Sequence, residues 1–375
     1  METAIHTLSA ARRRALLALW AIPGLGPKGL ARLAGPLDGQ VEALLPLTPA
    51  QWTQDLPLTA VVRRRLVDVP SLEFIAERVE ARLAKSPLMK VVFPYEEGFP
   101  ERLVGLEDGP PLLFMMGAPS GAKRRLAMVG SRHPEQGFLP WARTFARDVA
   151  AAGVGVVSGA AQGVDRACHW GALDAGGQTW AFLGSALDVL DSAQAKLLPH
   201  FLAAGGVFYS ELPPGVRAST TTFPRRNRLI AGASDAVLVM RAGVKSGSLH
   251  TALAALTQGR TLLALPGDVT NPLAEGANAL LWTGHARLCR GVGDVLEAVG
   301  MRSSARPATA PDMSADASLS EGAKVAYGAL ARAPRSFDEV RQSCRLSPAQ
   351  LTSALCELEL LGLALQHPGR QFERV

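Results

Sequence analysis

Between residues 86 and 300, short apolar runs alternate with longer segments in which apolar residues recur at helical spacing. The runs are continuous rather than interrupted by polar positions, as is typical of strands buried on both faces of a parallel sheet. The longer segments predict the crossover helices that connect such strands. The pattern therefore predicts an extended Rossmann-like α/β core, with parallel strands at residues 126–129, 154–157, 179–183, 207–209, 237–240 and 261–265.

Different patterns flank this core. Residues 1–85 have helical spacing around an apolar face, and residues 321–375 predict three helices followed by a hairpin, which is the order of a winged helix. Residues 302–320 are rich in Ser, Ala, Pro and Asp, a composition typical of a linker. We therefore predict a helical domain at 1–85, the Rossmann-like core at 86–300, a linker at 301–320 and a winged-helix domain at 321–375.

The predicted helical domain contains the turn Pro23-Gly24-Leu25-Gly26-Pro27-Lys28, which resembles a helix-hairpin-helix turn. Two glycines allow backbone N–H groups to approach a phosphate, and a lysine stands beside them. The same residues also fit a tight turn between two packed helices. We expect a helix-hairpin-helix or SAM-like domain, and both DNA contact and a purely structural turn stay open.

The third helix of the predicted winged helix, residues 348–361, contains no Arg or Lys and includes Glu357 and Glu359. Winged helices often bind DNA through this helix. Its acidic residues would repel phosphate, however, and no basic side chain would offset them. A protein-interaction or structural role is favoured, and DNA binding stays open.

Composition adds limits. The 375 residues include 39 Lys and Arg and 33 Asp and Glu, a net charge of +6, so any DNA affinity is expected from a local cluster rather than from bulk charge. The four cysteines form no CxxC pair and predict buried thiols in a reducing cytosol. No run of 18 apolar residues occurs, so we expect a cytoplasmic protein without a membrane span.

The strongest chemical signal is a basic segment next to an aromatic ring. Arginine presents a planar fork of donors that suits phosphate, and phenylalanine presents a face on which a base can stack. From this segment alone, DNA contact and a solvated loop or internal salt-bridge network are equally favoured. The segment reads Phe223, Pro224, Arg225, Arg226, Asn227 and Arg228.

Loops at the ends of the predicted strands favour DNA contact. Glycines there allow close backbone approach to an anion, while Ser and Arg donate hydrogen bonds to it. Because the carboxyl ends of parallel strands meet at one edge of the sheet, these loops are expected to lie side by side. They contain Gly130, Ser131 and Arg132, then Ser158, Gly159 and Gly163, and finally Gly247 and Ser248.

Catalytic and cofactor motifs give no support for an enzyme. Neither GxGxxG nor GxxxxGK[ST] follows a predicted strand, and neither GxSxG nor HExxH occurs. Asp165 and His169 have the i, i+4 spacing of an acid–base pair, although such residues more often cap a helix and pack within it. We expect no cofactor, no metal and no catalytic activity.

Ordered motifs cover residues 95–285 nearly continuously: GSR at 130–132, SGxxxGVDxxxH at 158–169, FPRRNRLIAG at 223–232, GSLxTA at 247–252 and LPG at 265–267. In their order and spacing they resemble the bacterial DNA-processing protein DprA (Smf) family. The resemblance assigns a DNA pocket to Arg132 and to the segment from Phe223 to Arg228. Gln162 stands where that family has a basic residue, so no contact is carried over to position 162.

The resemblance also implies a function. Proteins of the DprA family bind incoming single-stranded DNA in natural transformation and protect it. They load the RecA recombinase onto that DNA, displacing single-strand-binding protein, and they commonly form homodimers through the Rossmann-like core. The same activities are expected here, in transformation, in repair or in both.

Two alternatives stay open. A nucleotide phosphoribohydrolase has a similar core with a Gly-rich turn before a late helix, but it places a Glu at the start of that helix. Residues 247–255 contain no carboxylate. The other alternative is a protein-bridging scaffold, for which Arg225→Ala would leave DNA binding unchanged.

Overall fold

A mostly parallel sheet of nine strands organises the computed structural model. The structure describes residues 8–34, 37, 39–48, 51, 58–66, 71–119, 121–301, 319–331, 333–361 and 363–374. The strands are β1 (Met89–Val92), β2 (Leu113–Gly117), β3 (Arg125–Gly130), β4 (Gly155–Ser158), β5 (Thr179–Phe182), β6 (Val207–Ser210), β7 (Ala236–Arg241), β8 (Thr261–Ala264) and β9 (Arg287–Leu288).

The order across the sheet is β1-β2-β6-β5-β4-β3-β7-β8-β9. Strands β3 to β9 run parallel, whereas β2 pairs antiparallel with β6 and β1 pairs antiparallel with β2. The winding reverses at β3, because β4, β5 and β6 lie on one side of it and β7, β8 and β9 on the other. The carboxyl ends of β3 and β7 therefore flank a topological switch point, which is where open α/β sheets bind ligands.

Helices cover both faces of this sheet. The described α-helices between residues 10 and 298 are α1 (Ala10–Trp20), α2 (Pro27–Ala34), α3 (Ala60–Leu66), α4 (Leu72–Ala84), α5 (Phe138–Ala151), α6 (Val164–Asp174), α7 (Ser192–Ala203), α8 (Thr222–Gly232), α9 (Ser248–Thr257), α10 (Glu275–Trp282) and α11 (Val292–Ala298).

Successive strand residues point to opposite faces, so the parallel strands feed two separate hydrophobic clusters. On β7, Val237 and Val239 pack with residues of α8, α9 and α10, whereas Leu238 and Met240 pack with residues of α5, α6 and α11. This double layer explains why the strand sequences are continuously apolar, and it confirms the predicted Rossmann-like core. The sequence analysis did not identify β1, β2 or β9.

The amino-terminal helices pack against the sheet rather than standing apart. Leu19 of α1 and Leu72 of α4 share one buried cluster with Phe114 of β2 and Phe208 of β6. In addition, the Trp20 indole N–H donates to the carbonyl oxygen of Glu211 at 2.5 Å. The helices thus bring the Gly24–Gly26 turn close to the loops that follow the parallel strands.

The chain divides into two units, Met1–Ser304 and Ala305–Val375. The second unit contains three helices and a three-stranded sheet in the order β10-β12-β11, as expected for a winged helix. Leu351, Leu355 and Phe372 lie in its core. The bounds are α12 (Glu321–Ala329), β10 (Arg335–Ser336), α13 (Phe337–Ser343), α14 (Pro348–Leu360), β11 (Ala364–His367) and β12 (Gln371–Arg374).

The predicted boundaries at 1–85, 86–300, 301–320 and 321–375 remain our proposal for the domain organisation; residues 302–318 lie outside the described part of the chain. Among the described residues, no helix combines the length and the apolar character needed to cross a bilayer.

Candidate nucleic-acid interface

The loop after β3 is fixed at the switch point by backbone hydrogen bonds. The Ser131 N–H donates to the Arg241 carbonyl at the end of β7 at 2.8 Å, and the Val164 N–H at the start of α6 donates to the Ser131 carbonyl at 3.1 Å. Gly130 is required for this approach, since a Cβ there would lie 2.9 Å from the Val164 side chain. The predicted residues Gly130, Ser131 and Arg132 therefore lie at the carboxyl edge of the sheet.

The loop after β4 has an unusual backbone. Ala160 and Gly163 both have positive φ angles, of 50° and 88°. A Cβ at Gly163 would overlap the carbonyl oxygens of Ser131 and Arg132, so only glycine allows the two loops to pack this closely. The Gly159 N–H donates to the Asp165 carboxylate at 3.1 Å, and the Ala160 N–H donates to His169 Nε2 at 3.3 Å.

His169 is fully buried, and its partners define its tautomer. The Thr179 hydroxyl donates to the Val156 carbonyl at 2.9 Å, and it lies 2.7 Å from His169 Nδ1. Because that hydroxyl has a single proton, Nδ1–H donates to Thr179, and Nε2 is left to accept from Ala160. Burial lowers the pKa of His169 to about 3, so the ring is neutral and holds the loop.

Asp165 serves the same loop. Burial raises the pKa of its carboxyl, while the charge of Arg226 and backbone N–H groups that include that of Gly159 oppose the shift. Asp165 is 6% exposed and His169 0%, so neither presents a group to a ligand in this structure. The residues considered as an acid–base pair are thus a loop anchor and a packed histidine.

The basic segment divides into buried and exposed side chains. Arg226 is 4% exposed, and its Nη1 donates to the carbonyls of Gly159, at 2.6 Å, and of Phe182. Its Nε donates to Asn227 Oδ1 at 3.1 Å, and Asn227 Nδ2 donates to the Gly247 carbonyl at 3.1 Å. Arg226 and Asn227 therefore connect the ends of β4 and β5 to the loop that precedes α9.

Burial lowers the pKa of Arg226 to about 10, against the favourable charge of Asp165, so the side chain stays cationic at neutral pH. Arg228 also has internal partners, Glu211 at 2.5 Å and Asp108 at 3.5 Å. Burial raises the pKa of Glu211, and the charge of Arg228 opposes that rise. For Arg226 and Arg228, the internal network that the sequence left open is what the structure contains.

Arg132, Phe223 and Arg225 form what we call the exposed cluster. The Arg132 guanidinium carbon lies 4.7 Å from the centroid of the Phe223 ring. Phe223 is half-buried against Gly184, while Arg132 and Arg225 are exposed. Among the described residues, Arg132 and Arg225 form no ion pair. Arg225 also lies beside the amino-terminal turn, since a Cβ at Gly26 would be 3.8 Å from its Nη2.

The other predicted site residues take supporting positions. Ser158 is buried and donates to the Met128 carbonyl at 2.6 Å, and Ser248 is buried with its hydroxyl 2.8 Å from that of Ser246. Pro224 and Gly247 are exposed. Sequence reasoning missed Arg241, which lies between the loops; the signal for it was a cation directly after the apolar run 236–240.

These features define the class: a doubly wound α/β protein whose switch point has a cationic and aromatic edge, followed by a winged helix. The chain belongs to the DNA recombination-mediator protein A family, whose family model matches residues 90–300. A second family model, the DprA winged helix domain, matches residues 308–370. The resemblance to the DprA (Smf) family is thereby confirmed.

Individual relatives agree with this assignment. A putative DNA processing protein DprA from Mycobacterium tuberculosis is 38% identical over 255 residues, which are 66% of this chain and 64% of that protein. Protein Smf from Escherichia coli is 37% identical over 217 residues, 57% of this chain and 58% of that protein. The matches thus span less than two thirds of these relatives' length.

Among solved structures, the X-ray structure of DNA processing protein A (DprA) from Streptococcus pneumoniae is similar to this chain, with a TM-score of 0.61 and 27% identity. The similarity covers 78% of this chain and 98% of that one.

The contact between the loops predicts a large effect at Gly163. Gly163→Ala should lower the free energy of unfolding by about 2–4 kcal/mol, because it combines a positive φ with overlap against backbone. Gly247→Ala is the matched control: the φ of Gly247 is −61° and a Cβ there meets no atom within 4 Å. It should change stability by about 1 kcal/mol or less in urea unfolding. Equal effects of the two substitutions would contradict this account of the loop.

The buried neutral His169 predicts a pH dependence of stability. In the unfolded chain the His169 imidazole is protonated near its ordinary pKa of 6.5. In the folded protein its pKa is about 3, so the ring is protonated only at much lower pH. Stability should therefore fall as the pH decreases from about 6.5 towards 3, by up to about 1.4 kcal/mol per pH unit from this group. Asp165, whose pKa is raised, acts in the opposite direction: its contribution is lost as the pH rises above its ordinary 3.8.

Comparing wild type with His169→Gln isolates the histidine, since Asp165 is present in both. Urea unfolding between pH 7 and pH 4 should show a smaller loss of stability towards low pH in the variant. Parallel pH profiles would show that His169 is not held neutral.

Proposed function

We propose that this protein binds single-stranded DNA at the exposed cluster and catalyses no reaction on it. The observation that carries the proposal is the Arg132 guanidinium over the Phe223 ring at the switch point, with Arg225 exposed beside it. Arg132 and Arg225 are exposed and Phe223 is half-buried, and together they offer the chemistry that phosphates and bases require.

The chemistry favours single strands. Arginine forks bind phosphate oxygens, and an aromatic ring face stacks on an unpaired base, which contributes about 1–3 kcal/mol per base. The face of Phe223 that Arg132 covers becomes available to a base when the Arg132 fork turns to a phosphate. A duplex keeps its bases stacked inside, so Phe223 would find no partner there. Neither contact reads the edge of a base, so sequence preference should be weak.

We assign the rest of the predicted site a positioning role. Arg226, Asn227 and Arg228 hold the loops through internal partners, and the glycines allow those loops to pack closely. The remaining members are Gly130, Ser131, Ser158, Gly159, Gly163, Pro224, Gly247 and Ser248.

A phosphoribohydrolase is less well supported. Residues 247–255, at the start of α9, contain no carboxylate to act on a ribosyl bond. The buried acids near the site, Asp165 and Glu211, are hydrogen-bonded to Gly159 and Arg228. Both observations favour a binding protein, and incubation with AMP should release no free adenine.

The exposed cluster predicts the binding behaviour of a double variant. Arg132→Ala/Arg225→Ala should weaken binding of a labelled single-stranded oligonucleotide at least about tenfold, and should reduce the salt slope by about 1.4, or about 0.7 per phosphate. Fluorescence anisotropy at two salt concentrations, with duplex DNA as competitor, measures both effects.

The matched control is Arg147→Ala. Arg147 is exposed on α5, far along the helix from the sheet edge, and it pairs with Asp148 at 3.0 Å. This variant should bind as wild type does. If the double variant also keeps wild-type affinity, the DNA site lies elsewhere, in the amino-terminal turn or the winged helix.

We further propose that the bound DNA is passed to the RecA recombinase in natural transformation, with displacement of single-strand-binding protein. The family's description as a DNA recombination mediator supports this step. A cytoplasmic location and a homodimer formed through the core belong to the same proposal. The winged helix is proposed to contact protein, because α14 contains no basic residue.

The recombinase step has its own test. Wild-type protein should accelerate RecA ATP hydrolysis on DNA coated with single-strand-binding protein, and Arg132→Ala/Arg225→Ala should not. If wild type binds DNA but does not accelerate hydrolysis, the loading proposal fails while DNA binding stands.

A further inference from the structure

Arg241 lies at the centre of the switch point, outside both the basic segment and the exposed cluster. It is the last residue of β7, next to β3 in the sheet, and its carbonyl accepts the Ser131 N–H. The loop that carries Arg132 therefore begins in direct contact with Arg241. Its cationic side chain belongs to the same edge as the exposed cluster.

The Arg241 guanidinium is held in one position. Its central carbon lies 4.3 Å from the centroid of the Phe138 ring. On another side it contacts Gly267, where a Cβ would overlap Nη1. The side chain is 11% exposed, so it has little room to change rotamer. An anion that reaches this cation meets a pre-oriented group.

The hydrogen-bonding capacity of this cation is largely unused. Arg241 Nη2 pairs with Glu135 Oε1 at 2.7 Å, but among the described residues Nε and Nη1 are buried without a partner, and so is Glu135 Oε2. A guanidinium offers five N–H donors, and buried donors without acceptors reduce stability. A single carboxylate contact therefore leaves the site under-satisfied on both sides.

Glu135 is the partner that can leave. Its side chain is 35% exposed, and it belongs to the loop between Arg132 and the start of α5, which ends at Gly137 with a φ of 87°. Movement of this loop would withdraw the carboxylate and expose the guanidinium that Phe138 and Gly267 hold in place.

We propose that Arg241 is a phosphate subsite for single-stranded DNA, and that Glu135 occupies it until a DNA phosphate displaces the carboxylate. The inference rests on the proposed DNA-binding function and extends it to a residue outside the basic segment. A phosphate offers several oxygens to the guanidinium fork, so it can satisfy donors that one carboxylate contact leaves unpaired. DNA binding then includes a release of the loop that bears Arg132.

If Glu135 and a DNA phosphate compete for the Arg241 guanidinium, substitutions of Glu135 and of Arg241 should change the affinity for DNA in opposite directions. Glu135→Gln removes the competitor and should tighten oligonucleotide binding at least about threefold. Arg241→Gln removes the subsite and should weaken binding about tenfold, with a salt slope lower by about 0.7. In Arg241→Gln/Glu135→Gln, the loss of Glu135 should bring no gain, because the subsite is absent.

A matched control separates competition from general electrostatics. Asp268 is an exposed acid on the loop after β8, and its carboxylate accepts hydrogen bonds from Thr270. Asp268→Asn removes the same charge and should change affinity less than Glu135→Gln does. Circular dichroism checks folding. If Arg241→Gln is unstable, Arg241→Lys, which keeps the cation without the fork, takes its place and should bind the oligonucleotide less tightly than wild type.

Two outcomes overturn the inference. If Glu135→Gln and Arg241→Gln both weaken binding, the pair is only a structural link. If the gain from Glu135→Gln persists in the Arg241→Gln background, it reflects general charge. Failure of the proposed function is distinct: wild type would then not prefer single strands, or Arg132→Ala/Arg225→Ala would bind normally.

Discussion

The buried guanidinium of Arg226 links three of the segments that line the carboxyl edge of the sheet. Its donors hold carbonyls at the ends of β4 and β5, and through Asn227 it also reaches the loop before α9. These segments come from distant parts of the chain, and a buried cation that lost these acceptors would be costly. Asp165 adds a compensating charge and holds the Gly159 N–H. The loops are therefore coupled, and their geometry exists before any ligand arrives.

This coupling explains why only one of the three arginines in the segment 223–228 is exposed and, within the described part of the chain, unpaired. Because α8 packs one face against the sheet, Arg226 and Arg228 turn inwards and Arg225 turns outwards. The second free cation, Arg132, comes from the loop after β3 and meets Phe223 across the edge. A binding surface thus arises from two segments about 90 residues apart in the chain.

Much of the fold was accessible from hydrophobic patterning. Continuous apolar runs such as 237–240 predicted the buried parallel strands. Strand β9 was missed because it has only two residues and both are exposed, whereas β1 and β2, which are as long as the parallel strands, were simply overlooked. The positions of the strand-end loops were predicted as well, since the carboxyl ends of parallel strands share one edge.

By itself, the sequence determined the α/β class, the winged helix, the family and the residue types available for binding phosphate and bases. Only the tertiary structure decided which of these side chains are free. Arg225 and Arg226 are adjacent and have the same side chain. Arg225 is an exposed cation, whereas Arg226 is buried and donates hydrogen bonds to backbone carbonyls. The ion pair between Arg241 and Glu135 was likewise beyond the reach of the sequence, because it depends on how the loop packs. Local patterns record residue chemistry and periodicity, whereas burial and pairing depend on contacts between residues distant in sequence.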